Sequence, residues 1–192
     1  MLRDELAAAI REHAYLQGDF VLRSGRRSSY YLDKYLFETR PDLLAALGEH
    51  IAAAVAEHEP EAARLAGPEL GAVALTAAAS LASSLPFLIV RKEAKEHGTA
   101  NRLEGAYEKG ERVCLVEDVV TSGGAAVSAL DALREAGLEC RIAVCVVDRE
   151  EGGADALARR GVRLAPLFRA GDLLQAQKTA ANRMVERKGD AC

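Results

Sequence analysis

The segment Val113–Gly124, "VCLVEDVVTSGG", carries the densest chemistry in the chain. An apolar run meets two adjacent carboxylates, Glu117 and Asp118. Val119 and Val120 follow, then Thr121, Ser122, Gly123 and Gly124, and an Ala-rich helical pattern opens at Ala125. Where a strand turns into a helix, unpaired backbone N–H groups point outward and the helix dipole adds a positive field. Glycines let the backbone approach an oxyanion, and hydroxyls add donors, so the turn reads as a phosphate cradle. It is not a Walker A loop, because no Gly-Lys-Ser/Thr follows, and GxGxxG is absent. The acids would repel a bare phosphate. Ribose hydroxyls suit them, as does a hydrated Mg²⁺ held nearby. A ligand with a 5-phosphate, free 2- and 3-hydroxyls and a metal-bound pyrophosphate would use every group of the segment.

A second group is cationic. Arg91, Lys92, Lys95 and His97 stand within "RKEAKEHG", ended by Gly98. Glu93 and Glu96 are interspersed, so a solvated charge run is the plain alternative. The segment follows an apolar strand pattern, which brings it toward the cradle as a loop able to neutralise phosphates. A third turn, Gly67-Pro68-Glu69-Leu70-Gly71, ends another strand pattern. Glu69 cannot itself attract an anion, so an anion there would be held by main-chain N–H groups or through a metal. No Ser–His–Asp or Cys–His arrangement emerges, and no covalent nucleophile is expected.

The elements that must position these groups are readable from periodicity. Leu2, Leu6, Ala9, Ile10 and His13 keep helical spacing, which predicts a helix ending before Gly18. Phe20–Leu22 and Tyr30–Leu32 read as short strands joined by a turn at Ser24-Gly25. Pro41 opens an Ala/Leu helix running to about Glu57, since proline fits the first turn. Strand and helix patterns then alternate. "ARLAG", "PFLIV", "RVCLV", "CRIAVCVV" and "VRLAPLF" are the strands; Ala72–Ser83, Ala125–Ala136 and Ala154–Arg160 are the helices between them. The polar stretch Arg91–Gly110 has no clear period, and the tail from Gly171 is expected to form one more helix. This order predicts right-handed βαβ crossovers and an α/β fold, with a central mostly parallel sheet flanked by helices. Ligands of such sheets bind outside the carboxyl ends of the strands. That places Gly67–Gly71, Arg91 onward, Glu117–Gly124 and Asp148-Arg149 at one edge.

The 192 residues suit a single domain, with 49% hydrophobic and 28% charged residues and a formal net charge of -4. That charge disfavours broad nucleic-acid binding. The four cysteines, Cys114, Cys140, Cys145 and Cys192, show no CxxC spacing, and three sit in or beside apolar runs. They read as small core hydrophobes in a reducing cytoplasm rather than a zinc site or disulfide frame. The N-terminus lacks the pattern of a signal peptide, and no run approaches ~18 apolar residues. No membrane partner is expected.

These motifs together resemble a known family. "VCLVEDVVTSGG" is similar to the phosphoribosyl pyrophosphate (PRPP) signature of the type I phosphoribosyltransferases. "FVLRSGRRSSYYLD", "GPELGAVALTAAAS", "RKEAKEHGTANRLEG" and "VVDREEGG" narrow the likeness to the orotate phosphoribosyltransferases. The resemblance covers Phe20 to about Phe168, with the motifs in the same order. It implies the type I phosphoribosyltransferase fold with a small N-terminal hood. Residues 1–40 would form the first helix and hood strands, 62–170 the core sheet, and 171–192 a C-terminal tail.

The resemblance also implies the site. PRPP would contact Arg91, Lys92, Lys95, His97, Glu117, Asp118, Val119, Val120, Thr121, Ser122, Gly123, Gly124 and Ala125. Lys95 would stabilise charge on the departing pyrophosphate and His97 would assist it. Glu69, Leu70 and Gly71 would form the pyrophosphate loop. Orotate, a flat ring bearing a carboxylate, would meet Arg149 and Thr121, with Tyr30 and Tyr31 stacked on the base or walling it off. Arg23 stands where the family commonly carries lysine, and Glu117 where many members carry aspartate. Mg²⁺ would be held mainly by PRPP and water, with no direct protein ligand. The resemblance further implies a homodimer whose Arg91–Gly98 loop reaches the neighbouring site. A purine-type phosphoribosyltransferase would not need the cation at Arg149. A PRPP-sensing transcriptional regulator of the same fold would need a DNA-binding segment that one N-terminal helix does not supply.

Overall fold

The computed structural model describes residues 1–21, 25, 27–93 and 102–173. The first helix, α1 (Arg3–Ala14), buries Leu6, Ala7, Ile10 and Ala14 along one face. Its N-terminus is closed by the Glu5 carboxylate, which accepts the Leu2 N–H at 3.0 Å. The helix stops four residues before Gly18, because Tyr15 already pairs with Leu32. Strand β1 (Tyr15–Val21) and strand β2 (Arg27–Leu32) form an antiparallel two-stranded sheet separate from the main one. Both begin earlier than the aromatic runs alone suggested. A short helix, α2 (Tyr35–Glu38), follows and is a further departure from the sequence reading. Helix α3 (Pro41–His58) places Pro41 in its first turn as expected.

The main sheet is built from β3 (Arg64–Pro68), β4 (Phe87–Val90), β5 (Leu103–Glu104), β6 (Val113–Val120), β7 (Ile142–Asp148) and β8 (Arg163–Arg169). Its order is β5-β4-β3-β6-β7-β8. All neighbours run parallel except β4 and β5. Helices α4 (Gly71–Ser83), α5 (Gly124–Glu135) and α6 (Gly153–Ala158) make the crossovers. Strand β5 lies inside the polar stretch that shows no period; two residues are too few to leave a pattern. Residues 170–173 are helical, and the rest of the expected tail helix lies outside the described residues.

Two apolar clusters cover the two faces of the sheet. One joins Leu6, Phe37, Leu47, Ile51 and Leu75 to Cys114, Val116 and Val146. The other joins Leu88 and Leu115 to Leu130, Leu133 and Leu157. Central strand β7 is buried at every position, as a sheet covered on both sides requires. Cys114, Cys140 and Cys145 are free thiols inside this core. Burial pushes the Cys140 thiol up to about 11 and raises Cys114 and Cys145 as well.

Candidate active site

Strands β3, β4, β6 and β7 point their carboxyl ends to one edge, so the loops after Pro68, Val90, Val120 and Asp148 converge there. The turn after β6 is made by Gly123 at φ 82, a left-handed conformation that glycine adopts without strain. Helix α5 then starts at Gly124. Gly123 is buried, whereas Thr121, Ser122, Gly124 and Ala125 are exposed. The donors of the turn therefore face open space at a helix N-terminus, the geometry of an anion cradle. Val119 is half-buried and Val120 buried, and the Val120 carbonyl accepts the Arg149 N–H at 2.9 Å.

Strand β6 does not end at Val116, where the apolar run ends. It continues through Glu117 and Asp118 to Val120. The two acids thus lie within the strand and not at its mouth, with only 5% and 4% of their surface exposed. A buried carboxylate needs a partner. Asp118 finds one in Lys34, whose ammonium donates to Oδ2 from the start of α2. Burial works against the lysine charge, but the Asp118 carboxylate outweighs it and holds Lys34 above the ordinary lysine value. Glu38, one turn further along α2, is 3% exposed. Burial, then the nearby Asp118 charge, pushes it up to about 8. Glu117 is pushed up to about 8 by the same two causes in the same order. Oε1 of each has no hydrogen-bond partner.

The Glu69-Leu70-Gly71 turn, which contains a cis peptide between Glu69 and Leu70, lies against this cluster. A Cβ placed on Gly71 would overlap the Asp118 carboxylate and the Lys34 ammonium. The glycine lets the start of α4 touch the acid pair. Glu69 accepts the Lys92 N–H at 2.8 Å, while Leu70 is 70% exposed. The Arg91 N–H donates to Arg102 O at 2.8 Å, and Arg102 Nε returns a bond to Arg91 O at 3.2 Å. Arg91 also pairs with Glu104 at 3.4 Å. Arg91, which opens the cationic segment, is thus tied to Arg102 at the sheet edge beside the turn. Lys95, His97 and Arg23 lie outside the described residues.

Arg149 leaves β7 into the same edge. Its side chain is 8% exposed, pairs with Glu151 at 3.2 Å and lies over the Tyr30 ring, 5.0 Å from the centroid. Tyr30 stacks in turn on Tyr15 at 5.2 Å, and the Arg11 guanidinium lies over Tyr15 at 4.6 Å. Alternate residues of a strand face opposite sides. Tyr31 accordingly packs on Phe20 at 5.6 Å and is 42% exposed. Tyr30 of the pair adjoins Arg149 in this structure, and Tyr31 lies against Phe20. Lys34 and Glu38 are the site residues that sequence reasoning missed. Their available signal was the set of charges Asp33, Lys34 and Glu38 inside the otherwise apolar "YYLDKYLFE". Among the described residues, no group of three or more acidic, histidine or cysteine side chains is placed to hold a metal.

Fold and cradle together define a phosphoribosyl transferase domain, and residues 41–163 match the model of that family. The chain is 50% identical over 175 residues to the orotate phosphoribosyltransferase of Halobacterium salinarum, covering 91% of this chain and 98% of that protein. It is 48% identical over 157 residues to the orotate phosphoribosyltransferase of Methanocella arvoryzae, covering 82% and 88%. A solved structure of the Mycobacterium tuberculosis H37Rv orotate phosphoribosyltransferase is 32% identical with a TM-score of 0.79, covering 89% of this chain and 98% of that one. The same enzyme in complex with 5-phospho-α-D-ribosyl 1-diphosphate gives 29% identity and a TM-score of 0.75, over 89% and 98%. The chain belongs to the orotate phosphoribosyltransferase family, glycosyltransferases of the pentosyl type with the type I phosphoribosyltransferase fold.

Proposed function

We propose that this chain transfers the phosphoribosyl group from PRPP to orotate, giving orotidine 5′-phosphate and diphosphate in de novo pyrimidine (UMP) biosynthesis. The observation that carries this reading is the strand end itself. Buried acids run directly into an exposed small-residue turn at the head of α5, and Arg149 over Tyr30 stands at the neighbouring strand end. The 5-phosphate would take the N–H groups and hydroxyls of Thr121–Ala125, and the ribose hydroxyls would bond to the acids. The orotate carboxylate would take the Arg149 guanidinium, the plane of the base lying near Tyr30. In the reaction a ring nitrogen of orotate releases its proton to water and forms a bond to C1 of the sugar. The C1–oxygen bond breaks, and diphosphate leaves with the electron pair. Position and charge supply the rate, since no covalent intermediate is required. Lys95 neutralises the leaving diphosphate, with His97 assisting, and a closed site keeps water from the cation-like sugar centre.

Mg²⁺ fits this donor set as an ion that arrives on the diphosphate. The described residues offer no three-ligand cage, and Mg²⁺ keeps waters and substrate oxygens readily. When bound, it neutralises charge on the leaving group. We further propose a homodimer in which the Arg91–Gly98 segment reaches the neighbouring site, working in the cytoplasm. The buried free thiols fit a reducing compartment, and no helix among the described residues is long and apolar enough to cross a membrane. Sedimentation should give twice the chain mass, and a monomer at micromolar concentration would reverse the assembly.

Orotate consumption followed by absorbance, with and without Mg²⁺, tests the reaction. Turnover with orotate that requires Mg²⁺ is expected. No turnover with orotate alongside turnover with adenine or xanthine would instead indicate a purine-type enzyme.

A further inference from the structure

Lys34 lies 84 positions before Asp118 in the chain, yet the two side chains form an ion pair. Its side chain is 30% exposed and that of Asp118 6%. Gly71 presses on the same pair, so three separate segments meet at one ammonium: the start of α2, the end of β6 and the start of α4. Glu38 and Glu117 complete the cluster, each with one carboxyl oxygen buried and unpartnered. Three carboxyls and one ammonium share this space. A buried charge is tolerated only where an opposite charge meets it, so the lysine supports one carboxylate, and contact selects Asp118. A buried ion pair is weak evidence of stability, because its desolvation offsets most of the Coulomb attraction. The position of this pair points elsewhere. Glu69, Leu70 and Gly71 contain no cation, and the lysine ammonium is delivered to that turn from outside it.

We propose that Lys34 is a positioning residue for PRPP: it holds the Asp118 carboxylate in place at the seam between the cradle and the Glu69-Leu70-Gly71 turn, where ribose hydroxyls and diphosphate meet. The proposal rests on the reading above that the strand-end acids take the sugar. With Lys34 in place, Asp118 offers fixed acceptors to the hydroxyls, and its charge is balanced where the diphosphate must approach. Without it, the carboxylate is free to rotate, and the sugar loses its grip. The base end, built from Arg149 and Tyr30, makes no contact with the lysine among the described interactions and should be insensitive to the change.

Calorimetric titration with PRPP and the KM for orotate distinguish this role from a structural one. Lys34→Met should weaken PRPP binding about tenfold or more, the equivalent of one lost charge-assisted contact. The KM for orotate should stay within about twofold, and Lys34→Arg should recover most of the affinity. Asp118→Asn should lose at least that factor, and the double variant should be no worse than the weaker binder of the two singles, since Lys34 acts only through Asp118. Wild-type PRPP affinity in Lys34→Met overturns the proposal, as do losses that multiply in the double variant. Parallel losses for both substrates with a lowered melting temperature would make Lys34 purely structural. Should Lys34→Met fail to fold, Lys34→Gln keeps a donor of similar reach without the charge and is read against the same outcomes. A wild-type protein that binds PRPP but does not consume orotate would remove the proposed reaction while the titrations still decide Lys34.

Discussion

Glu38 and Glu117 both hold their protons up to about pH 8, because burial and the adjacent Asp118 charge oppose ionisation. Each has a folded-state value above its unfolded one. Between the two values the folded form keeps a proton that the unfolded chain has released, so stability falls as pH rises. The loss runs from about pH 4.5 to about pH 8 and levels off above it. For each carboxyl its upper limit is about 1.4 kcal/mol per pH unit. Melting temperatures taken from pH 6 to 9 should therefore decline, and Glu38→Gln should flatten the decline. An unchanged slope in that variant would remove Glu38 from the cause. Lys95 belongs to the same scale. On the proposed reaction its contact with the leaving group would strengthen as charge develops, so Lys95→Ala should depress kcat far more than it weakens PRPP binding. Rapid-quench turnover beside a binding titration checks this, and an unchanged kcat would exclude the role.

Among the elements, β6 shows what the sequence could and could not tell. Its apolar half was legible from Val113 to Val116, and so were the cradle glycines and the helix after them. Its extension through Glu117 and Asp118 was not, because acids ordinarily end a buried strand. Here the ladder to β7 continues to Val120, and Lys34 supplies the partner that lets Asp118 stay inside. That partner comes from an element 84 residues away, a distance no local pattern spans. The short helix α2 was missed for a different reason: four residues carry little periodicity. Gly71, by contrast, was visible as a turn glycine, and the structure gives it a second duty as the point where α4 reaches the acid pair. Gly71→Ala should cost about 1–3 kcal/mol through overpacking, read as a lower denaturation midpoint, and should weaken PRPP binding as well. Full stability in that variant would show that the Lys34–Asp118 pair yields easily.

Across the whole molecule, the alternation of strands and helices was sufficient to place the parallel sheet and the edge where its loops gather. The five strands read as apolar runs are all present, and β5 is added antiparallel outside β4. What periodicity could not supply was the seat of the β1–β2 hairpin. Only in three dimensions does Tyr30 come to rest beneath Arg149 and over Tyr15, joining the N-terminal layer to the carboxyl end of β7. The pleat then sends Tyr31 the other way, a separation that adjacency in the chain conceals.

The sulfur atoms at positions 114, 140 and 145 give this protein an internal clock for its own opening. Shielded from solvent and hard to ionise, they should resist an alkylating reagent while the sheet is intact. In a Cys192→Ser background, the rate of labelling would report how often the central strands part, and added PRPP should slow it by mass action.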